Sequence, residues 1–189
     1  MELLRTEFMV FEGDPKTSGE ARKLVSSLLS ELEASNPSFW SLSDVLTCLK
    51  LSSMVEVENN IIQDRAISIG KRALDISRDF EILSRLAKCA AAKEPPDWDS
   101  AIGFAEAAYA NALEKGESRR ACLNLIAAFA SKAREWSVLE YALRRQEELG
   151  PKRRFEADTA QLDYFLSDVP KGVINEKLRS RYIHLCKGG

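Results

Sequence analysis

An all-α fold, built as a stack of antiparallel helical hairpins, is predicted by three observations. A short phrase recurs: Arg65-Ala66-Ile67 through Ala73-Leu74, Trp98-Asp99-Ser100-Ala101-Ile102 through Ala108-Tyr109, and Trp136-Ser137-Val138-Leu139-Glu140-Tyr141 through Pro151. Aligning Ala66, Ala101 and Leu139 gives offsets of 35 and 38 residues, the length of a unit that buries its apolar face only by stacking on its neighbours. Apolar residues also recur three and four apart between Gly and Pro marks, and no alternating run with a hairpin turn competes with them. Arg5 to Phe11 alone has some strand character, too little to make a sheet.

Taken in order, helices are predicted near 2–11, 18–34, 42–56, 60–77, 79–93, 97–114, 118–133, 135–149, 153–167 and 171–186. Leu24, Val25, Leu28, Leu29 and Leu32 stripe the second of these; Leu83, Leu86, Ala87 and Ala90 the fifth; Leu123, Ile126, Ala127 and Ala130 the seventh. Thr17-Ser18-Gly19-Glu20 reads as a capping box, in which a hydroxyl and a carboxylate satisfy orphan backbone amides. Ser41-Leu42-Ser43-Asp44 and Asn60-Ile61-Ile62-Gln63 offer similar chemistry, and Asp79 and Asp97 are candidate N-caps. Breaks fall at Gly13-Asp14-Pro15, Asn36-Pro37, Pro95-Pro96, Gly116, Gly150-Pro151 and Pro170. The resulting connections of two to eight residues suit antiparallel neighbours.

The hairpins 42–56/60–77, 79–93/97–114 and 118–133/135–149 resemble tetratricopeptide repeats (TPR). The middle unit carries Leu83, Leu86-Ala87 and Ala90, then Trp98, Ala101 and Ala108. The third carries Leu123, Ile126-Ala127 and Ala130, then Trp136, Leu139 and Pro151. In the first unit the second helix matches best, through Ala66, Ala73, Leu74 and Ile76. The chain departs from the pattern at 42–56, which lacks a Leu-small pair, and at Leu139, which stands where alanine is expected. Small residues at Ala66, Ala87, Ala101 and Ala127 fit close helix crossings, where a larger side chain would overpack. The resemblance implies a right-handed superhelical α-solenoid in one domain spanning 1–189. Residues 1–41 form its N-terminal packing region, 42–151 three repeats, and 152–189 a C-terminal capping hairpin.

Bulk properties exclude several classes. The 189 residues are 45% hydrophobic and 30% charged with a net charge of −2, a globular balance rather than a disordered one. Residues 1–60 hold 5 basic and 10 acidic side chains, net −5, and residues 61–189 hold 22 and 19, net +3. A dedicated nucleic-acid binder would be far more basic. Cys48, Cys89, Cys122 and Cys186 form no CxxC pair, which favours reduced, structural thiols and a cytoplasmic location. The first residues lack an apolar run of signal-peptide length. The longest uncharged helical run, Ala121 to Ser131, has 11 residues, against about 20 for a membrane span.

Reactive groups are sparse. His184 is the only histidine and has no partner nearby for a triad or zinc site. GxxxxGK[ST], GxGxxG and HExxH are absent, and the carboxylate pairs Glu31/Glu33, Glu56/Glu58 and Glu147/Glu148 do not share helix faces. Neither an enzyme nor a cofactor is expected. Arg119-Arg120 and Arg144-Arg145 with Lys152-Arg153-Arg154 are read as solvated helix ends, since no aromatic interleaves with them for base stacking. Phe39-Trp40 is expected to anchor a loop in the core, and Phe104, Tyr109, Phe129 and Tyr141 to be buried in packing.

The expected function is that of a protein–protein interaction module, an adaptor gripping a partner polypeptide, with homodimerisation left open. A small TPR-type secretion chaperone is the first alternative and a helical-repeat nucleic-acid binder the second. The resemblance places partner contacts on the first helix of each hairpin. Residues there offset from the packing stripe are Ser84 and Lys88 in the middle unit, and Asn124, Ala128 and Lys132 in the third. Families that capture acidic chaperone tails use a fuller clamp of Lys, Arg and Asn; here the first unit adds only Lys50.

Overall fold

A computed structural model describes residues 15–55, 60–112, 116–149, 166 and 168–187, with side chains for all of these except 15–18, 116–117 and 184–187. The described residues are all-helical and include no strand. The α-helices are α1 (Pro15–Ala34), α2 (Leu42–Ser52), α3 (Ile61–Leu74), α4 (Phe80–Ala91), α5 (Trp98–Asn111), α6 (Gly116–Ala133), α7 (Trp136–Glu148) and α8 (Glu176–Lys187), with a short 3-10 turn at Pro37–Phe39. The helices expected at 2–11 and across most of 153–167 lie outside the described residues. The chain divides into two compact units, Met1–Asn111 and Ala112–Gly189.

In the first unit α1 buries Ala21, Val25 and Leu29, a stripe four residues apart, against α2 and α3. It begins at Pro15, so Thr17 lies inside its first turn and is not the cap expected for it; proline suits the first turn because its missing N–H would be unpaired there. Asn36 caps the 3-10 turn by accepting from the Ser38 amide at 3.0 Å.

The cap of α2 is Ser41, whose hydroxyl accepts from the Asp44 amide. This helix stops at Ser52, four residues earlier than its periodicity predicts. The reason comes from α3: the buried Gln63 amide donates to the carbonyls of Ser52 at 3.2 Å and Val55 at 2.9 Å. Those carbonyls are thereby satisfied without further helix. Gln63 is therefore not part of a local capping box. Asn60 departs from that expectation too. It takes the left-handed conformation at φ 55°, which asparagine tolerates, and its amide exchanges two hydrogen bonds with the Glu94 backbone.

Helix α3 buries Ile62, Ala66, Ile69, Gly70 and Ala73. Gly70 marks its closest approach to the neighbouring helices: a Cβ there would lie 2.5 Å from Leu86 Cδ2 and 3.3 Å from Leu49 Cδ2. Helix α4, capped by Asp79, packs on α2, α3 and α5. It accordingly buries Ile82, Leu83, Leu86, Ala87, Cys89 and Ala90. Asp97 caps α5 through the Ser100 amide, and Ala101, Ala105 and Ala108 form its small buried stripe. Ala66, Ala87, Ala101 and Ala127 are all buried as their packing role requires.

In the second unit α6 buries Cys122, Leu123, Ile126, Ala127 and Ala130, and α7 buries Leu139, Ala142 and Leu143. Their connection closes with Arg134 at φ 61° and the Glu135 amide donating to Ala130 O, the bond of a Schellman ending in which glycine is usual. Helix α8 starts at Glu176, later than the predicted 171, because Asn175 accepts from the Lys177 and Leu178 amides. It packs on α7.

Two aromatic expectations are corrected. Phe39 is 84% exposed and anchors nothing; its neighbour Trp40 packs on the core. Tyr141 is 40% exposed and lies under the Arg145 guanidinium instead of in the core.

Candidate functional site

Helices α2 and α4, the first helices of consecutive hairpins, pack together and each leaves one face open. On α2 the buried set is Val45, Cys48, Leu49, Leu51 and Ser52 and Leu46 packs on the core, so Ser43 and Lys50 share the other side at helical spacing. On α4 the same argument leaves Glu81, Ser84, Arg85 and Lys88. Lys88 is exposed. Partial desolvation pulls its pKa down, and the positive charges of Arg85 and Lys50 pull it further. Neither Arg85 nor Lys88 makes an ion pair among the described residues. The face thus gathers three cations, two hydroxyls and one acid, Glu81. Arg85 is a member that periodicity did not single out; its signal was its place one turn after Glu81 and three residues before Lys88.

Ser84, half-buried, and Lys88 lie one turn apart on this side of α4. The Ser84 hydroxyl donates to the Phe80 carbonyl at 2.9 Å. Asn124, Ala128 and Lys132 belong to α6 of the second unit. Lys132 is exposed and Ala128 half-buried. Asn124 is otherwise engaged: its Oδ1 accepts from Gln146 Nε2 at 2.7 Å, and Gln146 Oε1 accepts from the Tyr182 hydroxyl at 2.9 Å. Gln146 and Tyr182 are each only 3% exposed. The relay ties α6, α7 and α8 together with every heavy-atom bond at ordinary length.

Other polar clefts neutralise themselves. One of about 350 Å³ lies among Asp64, Lys71, Lys93, Asp97 and Phe104. There Lys93 pairs with Asp64 at 2.8 Å and Lys71 sits over the Phe104 ring. Burial raises the Asp97 carboxyl, but the Ser100 hydrogen bonds, Lys93 and Lys71 outweigh it and hold the carboxyl below its ordinary value. In the second unit Arg144 pairs with Glu140, Arg145 with Glu148 and Arg181 with Glu147. Those arginines, read as a helix end, are thus matched by acids; Lys152, Arg153 and Arg154 lie outside the described residues, as does the His184 side chain.

Among the described residues no three His, Cys, Asp or Glu side chains are grouped to hold a metal, and no helix is long and apolar enough to cross a membrane. Cys48, Cys89 and Cys122 are buried and unbridged. Burial pushes the Cys48 thiol up to about 11 and the Cys89 thiol to about 12, opposite to the shift of a reactive nucleophile. Comparison with protein-family models, curated proteins and solved structures found no match.

Proposed function

We propose that this protein is a non-enzymatic interaction module of TPR-like construction, and that the open face of α2 and α4 binds an acidic or carbonyl-rich segment of a partner polypeptide. The observation that carries the reading is the cluster of Lys50, Arg85 and Lys88, in which burial chiefly, and then repulsion by Arg85 and Lys50, holds the Lys88 pKa below its ordinary value. A bound carboxylate relieves that repulsion, and ammonium and guanidinium groups only donate hydrogen bonds. The TPR-like part of the reading draws support from the first unit, where α2 touches α3 and α4, and α3 touches α4. Those are the neighbours a hairpin stack requires. Buried, unbridged thiols agree with a reducing, cytoplasmic setting. The internally paired arginines of α7 weigh against a phosphate stripe.

Affinity capture from native lysate with mass spectrometry, with and without nuclease, tests the reading. Wild type is compared with Lys88→Glu and with Lys88→Glu/Lys132→Glu. Exposed changes of this kind usually shift stability by under about 0.5 kcal/mol, so circular dichroism should show intact folds. Capture should be nuclease-resistant and fall for Lys88→Glu. Undiminished capture by folded variants would remove the basic face as the site, and nuclease-sensitive capture would favour the nucleic-acid reading.

A further inference from the structure

The connection between α1 and α2 holds a second surface of opposite character. A cleft of about 290 Å³ is lined by Leu28 and Leu32 of α1, by Phe39 and Trp40, and by the carboxylates Glu31 and Asp44. Leu28, Leu32 and Trp40 pack on the core, so they form a fixed wall. Trp40 is held twice over: its indole N–H donates to Ser35 Oγ at 2.7 Å, and the Arg72 guanidinium stacks 4.8 Å from its ring centroid. Asp44 is held by the Ser41 hydroxyl, which donates to it at 2.6 Å. Phe39, 84% exposed, lies beside this wall as an aromatic side chain without burial.

Among the described residues no cation lines the cleft. Glu31 and Asp44 make no ion pair among the described residues, whereas the neighbouring Glu33 is claimed by a bidentate contact with Arg65. The volume is at the low end of small-molecule pockets, roughly 300–1,000 Å³. It suits an anchor side chain on a chain that runs onward past Phe39.

We propose that this cleft docks a polypeptide segment bearing a bulky apolar side chain next to one or two lysines or arginines. The apolar group fills the Leu28–Leu32–Trp40 wall and is covered by Phe39, while the cations meet Glu31 and Asp44. Rigid aromatic walls bind with little ordering cost, and the two carboxylates select the sign of the partner's charge and speed its approach. The site is independent of the basic face on α2 and α4, and the two select opposite sequences.

The test is selection of short random phage-displayed peptides on the full-length protein. Fluorescence anisotropy of the enriched sequences follows against wild type, Phe39→Ala, Glu31→Gln/Asp44→Asn and Lys88→Glu. The amide variants keep shape and an acceptor oxygen for Ser41, and Phe39 is nearly all in solvent, so folding is retained. Enriched peptides should pair Leu, Phe, Met or Trp with Lys or Arg. Their affinity should drop about tenfold for Phe39→Ala, the scale of a hot-spot side chain. The amide double variant should lower affinity and flatten its salt dependence, and Lys88→Glu should change neither. Four results would overturn the proposal: no enrichment, enrichment of acidic or uncharged peptides, indifference to Phe39 and the carboxylates, or sedimentation showing a dimer that Phe39→Ala abolishes. Acidic peptides that need Lys88 would uphold the basic face and not this cleft.

Discussion

Replacing Gly70 by alanine probes the closest helix approach in the first unit. Two effects oppose each other. Alanine in mid-helix gains about 0.5–1 kcal/mol over glycine because it loses less backbone entropy on folding. The added methyl, however, would lie 2.5 Å from Leu86 Cδ2, 3.0 Å from Leu86 Cγ and 3.3 Å from Leu49 Cδ2. Both leucines are wholly buried, so neither can swing into solvent, and overpacking of this kind costs about 1–3 kcal/mol. The net is a loss of about 0–2.5 kcal/mol, the difference of those two ranges. Gly103 supplies the control, since it is exposed in mid-α5 with nothing within 4 Å of its Cβ direction. Gly103→Ala should therefore be stabilising by the full helical gain. The two alanine variants should differ by the packing term alone, roughly 2–12 °C in Tm for a chain of this size, read by far-UV circular dichroism. Trimming Leu86 to valine in the Gly70→Ala background should recover part of the loss, with a coupling of about 0.5–3 kcal/mol. If Gly70→Ala stabilises as much as Gly103→Ala, α3 does not approach α4 and α2 this closely, and the register of the first hairpin on the second is wrong.

Three further outcomes are expected. Ala101→Leu and Ala127→Leu should each cost about 1–3 kcal/mol by overpacking, since both sites are buried; unchanged denaturant midpoints would place those alanines away from any crossing. Tyr182→Phe should cost about 1–3 kcal/mol, because it leaves the buried Gln146 Oε1 without its donor; a neutral result in urea unfolding would mean that water replaces the hydroxyl. Stability should also fall at alkaline pH through the buried thiols. Their folded pKa values lie above the ordinary 9.0, at about 11 for Cys48 and about 12 for Cys89. The unfolded chain therefore loses these protons first, and the stabilisation is complete below about 9 and lost progressively up to about 12. Cys89→Ala should show a shallower alkaline decline than wild type in pH-dependent urea melts; identical slopes would refute the thiol assignment.

The helices were legible because their signals are local. A stripe such as Leu83, Leu86, Ala87 and Ala90 is a period written into neighbouring residues, and Ser41, Asp79 and Asp97 cap amides two or three positions away. What stayed hidden depends on partners distant in sequence. The early end of α2 is set by Gln63, which reaches back to Ser52 and Val55. Asn60 spends its amide on Glu94, 34 residues on. The α6–α7 turn uses Arg134 where a left-handed residue is required, so the glycine that usually announces such an ending is missing. Exposure of Phe39 was equally unforeseeable: an aromatic after Asn36-Pro37 has the chemistry of a core anchor, and only the packing of Trp40 decides which of the two neighbours turns inward.

The candidate site shows the same division, with a chemical reason behind it. Lys88 could be placed from sequence because it lies opposite the apolar stripe of α4, and an ammonium on that side meets solvent unless an acid intercepts it. Asn124 satisfies the same positional test, yet an amide both donates and accepts, so a buried group can claim it. Gln146 does so, because its own amide is out of water and an unpaired buried donor costs about 1–3 kcal/mol. Position on a helix face therefore predicts availability for a charged residue better than for an amide. By that reasoning the cationic face of α2 and α4 is read from Arg85 and Lys88, and the carboxylate-lined cleft of α1 and α2 from Glu31 and Asp44, none of which is ion-paired among the described residues. Their opposite signs within one unit are concealed by a net charge of −2. A partner matching either surface would be sorted by charge first and by side-chain shape second.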